Sequence, residues 1–319
     1  MTKMLKILVY TDGRPESTKA LYVAAELKQR MAVEMEVITV RSGTHATEKI
    51  PLLGVGLPLS KEAELPPGIQ MLAKALKELT HAGLFSTQQS ITVQEVSRGH
   101  LFVCNTRSGE PVHFFEKYGH TIEELNHEVA ESHDNLVIVS LKRRGTLGHI
   151  AIGDPARALA FDLHTSIFIA RGGGLDSRFL ICADGSPSSR RIFPLLRSII
   201  PAIGGPVIVL WVRTPRINDR EVAAAKRCLE EARQWLNGCG KEIQLIEIEG
   251  ERPLEIILEQ AKDDSVVVMG SSLKHDLLRR MLGSLPIKVL SQTKSSVLLV
   301  KRPPEGDIHS FEAICKGIQ

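Results

Sequence analysis

Leu136-Val-Ile-Val-Ser140 and Val266-Val-Val-Met-Gly270 lie 130 residues apart, and the sequence after each stays in step at that offset, without a gap, through Arg171 and Lys301. The offset pairs Ser140 with Gly270, Gly153 with Gly283, and Ser166-Ile-Phe-Ile-Ala170 with Ser296-Val-Leu-Leu-Val300. Working outward, Lys6-Ile-Leu-Val-Tyr-Thr-Asp-Gly13 overlays Arg178-Phe-Leu-Ile-Cys-Ala-Asp-Gly185 at an offset of 172, so the first copy is 42 residues longer than the second. One α/β unit is written twice, and function is to be sought where the copies differ.

Within each copy short β-branched runs alternate with segments of helical period, the pattern of βα units on a parallel sheet. The second copy's strands read 178–183, 206–212, 242–249, 265–270 and 296–301, taken as apolar runs that suit strands covered on both faces. Val222, Ala225, Leu229, Ala232 and Leu236 recur at helical spacing, and Pro253 opens a shorter helix as a first-turn residue. The first copy repeats the order, with Val33 to Val40 as second strand and Ile91 to Val96 as third. Three glycines, Gly172 to Gly174, leave the backbone unrestricted and mark the linker, 172–176. The expected division is therefore 1–171, the linker, 177–302 and a tail, 303–319, that frays after Pro303-Pro304.

The additional length of the first copy falls at 43–68 and 100–118. Residues 50–58, Ile-Pro-Leu-Leu-Gly-Val-Gly-Leu-Pro, are apolar without a period, which fits a lid, an interface segment or a packed loop. Leu101-Phe-Val-Cys and Val112-His-Phe-Phe flank Arg107-Ser-Gly-Glu110 and predict a β-hairpin.

The 319 residues, 43% hydrophobic and 24% charged, are enough for two domains with separate cores. A formal charge of +3 without a polybasic run argues against a nucleic-acid or membrane partner. Met1 leads almost directly into the first apolar strand with no leader peptide, and the five cysteines form no CxxC pair, so a reducing cytoplasm is expected. His120, His127 and His133 stand near Glu123 and Glu124, but with no HExxH or Cys-His spacing they read as surface residues of a charged helix rather than metal ligands. Cys182 reads as a small core residue. No GxSxG, Walker loop or paired-carboxylate pattern signals catalysis, so no enzyme is expected beyond weak ATP hydrolysis.

In an open parallel sheet, ligands lie beyond the carboxyl ends of the strands where the winding direction reverses. Here that point falls between the first and fourth strands of each copy, at Asp12-Gly13 with Ser140 and at Asp184-Gly185 with Gly270. Gly283-Ser284 opens the last helix, whose free amides favour an anion. Each feature also has a plain reading, since Asp-Gly before a helix is ordinary turn chemistry and Ser284 can be only a cap.

Ile181-Cys-Ala-Asp-Gly-Ser186 with Met269-Gly270 and Gly283-Ser284 resembles the universal stress protein family, and the arrangement looks like a tandem member. The resemblance implies two flavodoxin-like, adenine nucleotide alpha hydrolase-like α/β sandwiches with parallel five-stranded sheets. It implies that Asp184 faces an adenine, a residue near Val212 a ribose, and that the backbone around Gly270 and from Gly283 through Ser284 to Leu285 cradles phosphates, with Gly185 and Met269 also at the site. It also implies that 166–171 and 296–301 lie side by side, making one chain a pseudo-dimer.

The loops depart from the family pattern of Gly, two residues, Gly, nine residues, Gly, then Ser or Thr. Leu273 replaces the middle glycine of the second copy, and Leu273, Leu277, Leu278, Met281 and Leu282 at helical spacing predict a docked helix turn. The first copy has Ser140, Arg143 and Asp154, and a carboxylate at that helix start repels phosphate by about 4 kcal/mol at roughly 4 Å and an effective dielectric near 20, unless Lys142, Arg143 or Arg144 compensates. The expected function is a cytoplasmic stress-response protein acting through protein contacts, with itself and unnamed proteins as partners. The alternatives are an adenine-nucleotide switch using the second copy, with AMP, ADP and ATP open as ligands, and an enzyme related to adenylate-forming proteins.

Overall fold

The computed structural model describes residues 4–42, 57–58, 65–87, 90–91, 93–96, 99–132, 136–140, 155–237, 241, 243–271 and 285–301. Two compact units divide the chain, Met1–Lys142 and Arg143–Gln319. The first repeat's closing helix and strand thus group with the second unit rather than with their own copy.

In the first unit the order is β1 (Leu5–Tyr10), α1 (Thr18–Arg30), β2 (Val33–Arg41), β3 (Leu57–Pro58), α2 (Pro67–His81), β4 (Ser90–Ile91), β5 (Gln94–Val96), β6 (Gly99–Asn105), β7 (Pro111–Tyr118), α3 (Thr121–Ser132) and β8 (Leu136–Ser140). Strands β8, β1, β2 and β7 are parallel, and β6 and β5 continue outward antiparallel. Ile7, Leu8 and Val9 of β1 are buried on both faces, against Leu21, Ala24 and Leu27 on the inner stripe of α1.

The expected hairpin forms, with Phe102 paired to Phe114 and their rings stacked at 4.7 Å, a contact worth about 1 kcal/mol beyond its burial. It is not an appendage. Its second arm, β7, occupies the place beside β2 that the sequence reading assigned to Ile91–Val96. Residues 94–96 are instead the outer edge, and Ile91 pairs with Leu57 in a separate two-stranded ribbon. Valine and phenylalanine on alternate positions of β7 bury one full face, whereas Gln94 and Glu95 suit an edge exposed to water. Behind the hairpin, the wholly buried Glu116 accepts from or pairs with His100 Nδ1 at 2.8 Å and meets Arg41 at 3.4 Å. Nothing in the spacing of 41, 100 and 116 announced that cluster. Most of 43–68 lies outside the described residues.

The second unit contains α4 (Pro155–Asp162), β9 (Ser166–Ala170), β10 (Phe179–Cys182), α5 (Pro187–Arg190), α6 (Ile192–Ile199), β11 (Val207–Arg213), α7 (Asp219–Asn237), β12 (Ile243–Glu249), α8 (Pro253–Ala261), β13 (Val266–Gly270), α9 (Leu285–Gln292) and β14 (Ser296–Val300). Its five expected strands are parallel in the order β12-β11-β10-β13-β14, a doubly wound α/β sheet whose winding reverses between β10 and β13, the first and fourth strands. Edge strand β12 differs from the continuous apolar run expected of it, because Gln244, Glu247 and Glu249 interrupt it and are exposed. The two units keep one register: Tyr10 faces Ile38 as Cys182 faces Leu210, and Ile7 faces Leu136 as Phe179 faces Val266.

Strand β9 pairs antiparallel with β14, with Val297 opposite Ile169, Leu298 opposite Phe168 and Leu299 opposite Ile167. Residues related by the 130-residue offset exchange places about the Leu298–Phe168 pair. Side chains repeat the exchange. Arg171 N donates to Ser296 Oγ (2.9 Å) and Lys301 N to Ser166 Oγ (3.1 Å), while Arg171 reaches Thr293 O (3.1 Å) and Lys301 Nζ reaches Leu163 O (2.5 Å).

Gly172 and Gly173, after β9, are packed rather than unrestricted. A Cβ on Gly172 would stand 2.1 Å from Asp263 O, one on Gly173 2.5 Å from Asp264 O, and Ser296 Oγ donates to Gly173 O at 2.5 Å. Close backbone approach explains the glycines here, not conformational freedom. Among the described residues no helix is long and apolar enough to cross a membrane.

Candidate functional site

Strands β10, β11 and β13 end together at their carboxyl edge, and the chain there is shaped by short polar turns. Ser186 N donates to Asp184 Oδ1 at 3.0 Å, closing an Asx turn, and Ser186 Oγ accepts from Ser189 N at 3.2 Å to cap α5, which Pro187 opens. Gly185 has φ +78°, and a Cβ on it would lie 2.6 Å from the Ala224 and Ala225 backbone of α7, so both conformation and space demand glycine.

A cavity of about 760 Å³ opens at this edge, within the range of small-molecule sites. Asp184, Gly185, Val212, Met269, Gly270 and Leu285 line it together, although they come from four separate elements. Gly283 and Ser284 lie outside the described residues, as do Leu273 to Leu282 and the first copy's Arg143 and Asp154. Asp184 is exposed, and among the described residues its second oxygen has no further bond. Gly270 carries a packing duty that its expected role did not include, since a Cβ there would sit 2.0 Å from Ser188 O at the start of α5.

Several other wall residues carry no signal in the sequence. Trp211, almost wholly buried, sits one position before Val212 on β11, and Thr214, Arg216 and Ile217 follow in the loop. Glu221 also lines the cavity, but its carboxylate accepts from Asn218 N at 3.1 Å while Asn218 Oδ1 accepts from Glu221 N at 3.0 Å. That reciprocal cap at the start of α7 was legible as Asn-x-x-Glu. Cys182 lines the wall as a neutral thiol, pushed up to about 12 by burial and by the Asp184 carboxylate. The walls thus combine an apolar slot, of Trp211, Ile217, Ile257 and Met269, with a carboxylate acceptor and one guanidinium, Arg216.

This geometry belongs to the segment that a family model matches: the universal stress protein family, over residues 177–301. The fold likeness extends over both units. A universal stress protein from Archaeoglobus fulgidus DSM 4304 superposes with a TM-score of 0.61 at 15% identity, covering 94% of this chain and 97% of its own. A functionally unknown protein from Pseudomonas aeruginosa PAO1 gives 0.55 at 14% identity, covering 98% of each. At such identities the likeness is one of fold. A universal stress protein solved in complex with cAMP is 25% identical, covering 40% of this chain and 97% of its own, but its TM-score of 0.32 says nothing of a ligand here. No curated protein matches the chain significantly.

The first unit's corresponding corner, at the end of β1, is occupied differently. Asp12 accepts from Arg14 N through Oδ1 (3.1 Å) and approaches Arg14 Nε through Oδ2 (3.5 Å), so both oxygens are engaged. Of the histidines, His127 lies 3.6 Å from Glu131 on α3, and His133 lies outside the described residues. Among the described residues no group of three or more His, Cys, Asp or Glu is placed to hold a metal ion.

Proposed function

We propose that this chain is a cytoplasmic stress-response protein that binds an adenine nucleoside or nucleotide in its second unit and acts by binding rather than by catalysis. The observation that carries the reading is the single cavity on which Asp184, Val212, Met269 and Gly270 converge, with Trp211 and Ile257 offering an apolar slot for a base. Asp184 keeps an oxygen for a base or ribose donor after its turn bond is made. Ligands with few phosphates suit it best, because Leu273 stands where a phosphate loop needs glycine. The exchange of partners between β9 and β14 supports a further part of the proposal, that one chain is an intramolecular pseudo-dimer. The scaffold reading, action through protein contacts without nucleotide, which the sequence put first on the altered loops of both copies, becomes the second reading.

Nucleotide released from denatured, freshly purified protein and calorimetric titration with adenosine and AMP test the reading. Stoichiometric adenine, or binding at micromolar to millimolar concentration, is expected. Asp184→Ala should abolish binding and shift stability by less than about 0.5 kcal/mol, since the residue is exposed. Unchanged affinity in that variant would place the ligand elsewhere, and no signal at millimolar ligand would leave the scaffold reading.

A further inference from the structure

We infer that the first unit's counterpart of this cavity is filled from within by Tyr10, so that the residue pair Tyr10 and Cys182 decides which unit takes a ligand. The inference rests on the nucleoside reading of the second unit and adds what excludes the first.

Tyr10 and Cys182 end their strands at the same register, opposite Ile38 and Leu210. Cys182 and Leu210 both line the second unit's cavity, whose far wall includes Pro253 at the start of α8. In the first unit α3 starts at Thr121, and the Tyr10 phenol, half-buried, comes within interaction reach of the Thr121 side chain. A six-membered ring therefore spans from the strand end to the helix start, the interval that the small thiol of Cys182 leaves open. Asp12 beside it has both oxygens engaged by Arg14, in contrast to Asp184. Met71 of α2 closes the remaining side: its Cγ lies 2.7 Å from where a Cβ on Gly13 would stand, and its sulfur accepts from Thr39 Oγ1 at 3.5 Å. Thr39 holds the position that Trp211 holds in the second unit, so a tryptophan wall has become a threonine with a methionine laid on it. Own side chains thus supply ring, hydrogen bond and apolar cover where the second unit presents space.

Swapping the pair tests this, with adenosine as probe because it carries no phosphate to meet the altered loops. Tyr10→Cys should bind one more adenosine per chain than wild type in calorimetry, and that gain should persist when Asp184→Ala removes the second unit's site. Cys182→Tyr should lose the wild-type adenosine while leaving the first unit's circular dichroism unchanged. A folded Tyr10→Cys with no gain overturns the inference. Should Tyr10→Cys fail to fold, adenosine binding undiminished in Cys182→Tyr overturns it instead. Wild type that binds no adenosine, together with a Tyr10→Cys that binds one, would cost the nucleoside reading of the second unit and leave the plug standing.

Discussion

Arg171 and Lys301 hold matching posts at the two ends of the β9–β14 pair, yet they meet the same demand by different chemistry. Arg171 extends one guanidinium nitrogen to Leu290 O and Thr293 O, at 2.6 and 3.1 Å, and so satisfies carbonyls at the end of α9 while keeping its charge. Lys301 reaches Leu163 O after α4, and burial pulls its ammonium down to about 7, with Asp162 opposing that shift only in part. A guanidinium spreads its charge and stays protonated when buried, whereas a compact ammonium gives up its proton. Two sites at matching positions can therefore keep a contact while one of them becomes sensitive to pH.

The largest expected effect breaks the comparison at Lys301. Its folded pKa lies below the unfolded value of 10.5, so between about pH 7 and 10.5 the unfolded chain holds a proton that the folded chain lacks. Stability should rise with pH through that window, by at most about 1.4 kcal/mol per pH unit, and the cost of the buried charge should be fully present below it. Urea unfolding of wild type and Lys301→Met across pH 6 to 10 measures the difference. A wild-type slope no steeper than the variant's would mean that Lys301 stays charged.

Next in size is Arg171→Met, which should cost about 3 kcal/mol with no comparable dependence on pH, because two carbonyl bonds to a charged donor are lost. Ser296→Ala should follow at about 2 kcal/mol, since the wholly buried hydroxyl both accepts from Arg171 N and donates to Gly173 O. Its counterpart Ser166→Ala breaks one bond, from Lys301 N, and should cost about 1 kcal/mol. Equal losses in the two serine variants, read from urea midpoints, would show that the glycine contact adds nothing to this end of the seam.

The strand pattern of the second unit could be read closely because its β-branched runs and the Gly, Pro and Asp turns beside them are local signals. The first unit was harder. Local pattern marks Ile91–Val96 and Pro111–Tyr118 alike as strands, and only burial of Val112, Phe114 and Glu116 chooses which one lies beside β2. At the site, the Asp-Gly turn and strand-end glycine were legible, while Trp211 and Arg216 were not, since no spacing rule ties them to Asp184. Gly172 and Gly173 show the reverse difficulty: composition cannot separate a free hinge from a backbone pressed against Asp263 and Asp264.

By itself the sequence determined the alternation of strand and helix and the turn chemistry at Asp12 and Asp184, because each depends on residues near one another in the chain. Only the tertiary structure decided which strand lies beside β2, how Arg171 and Lys301 exchange places, and that a phenol stands in one unit where a cavity opens in the other. Those outcomes depend on volume and burial at points where distant segments meet, and neither quantity is carried by any local stretch of residues.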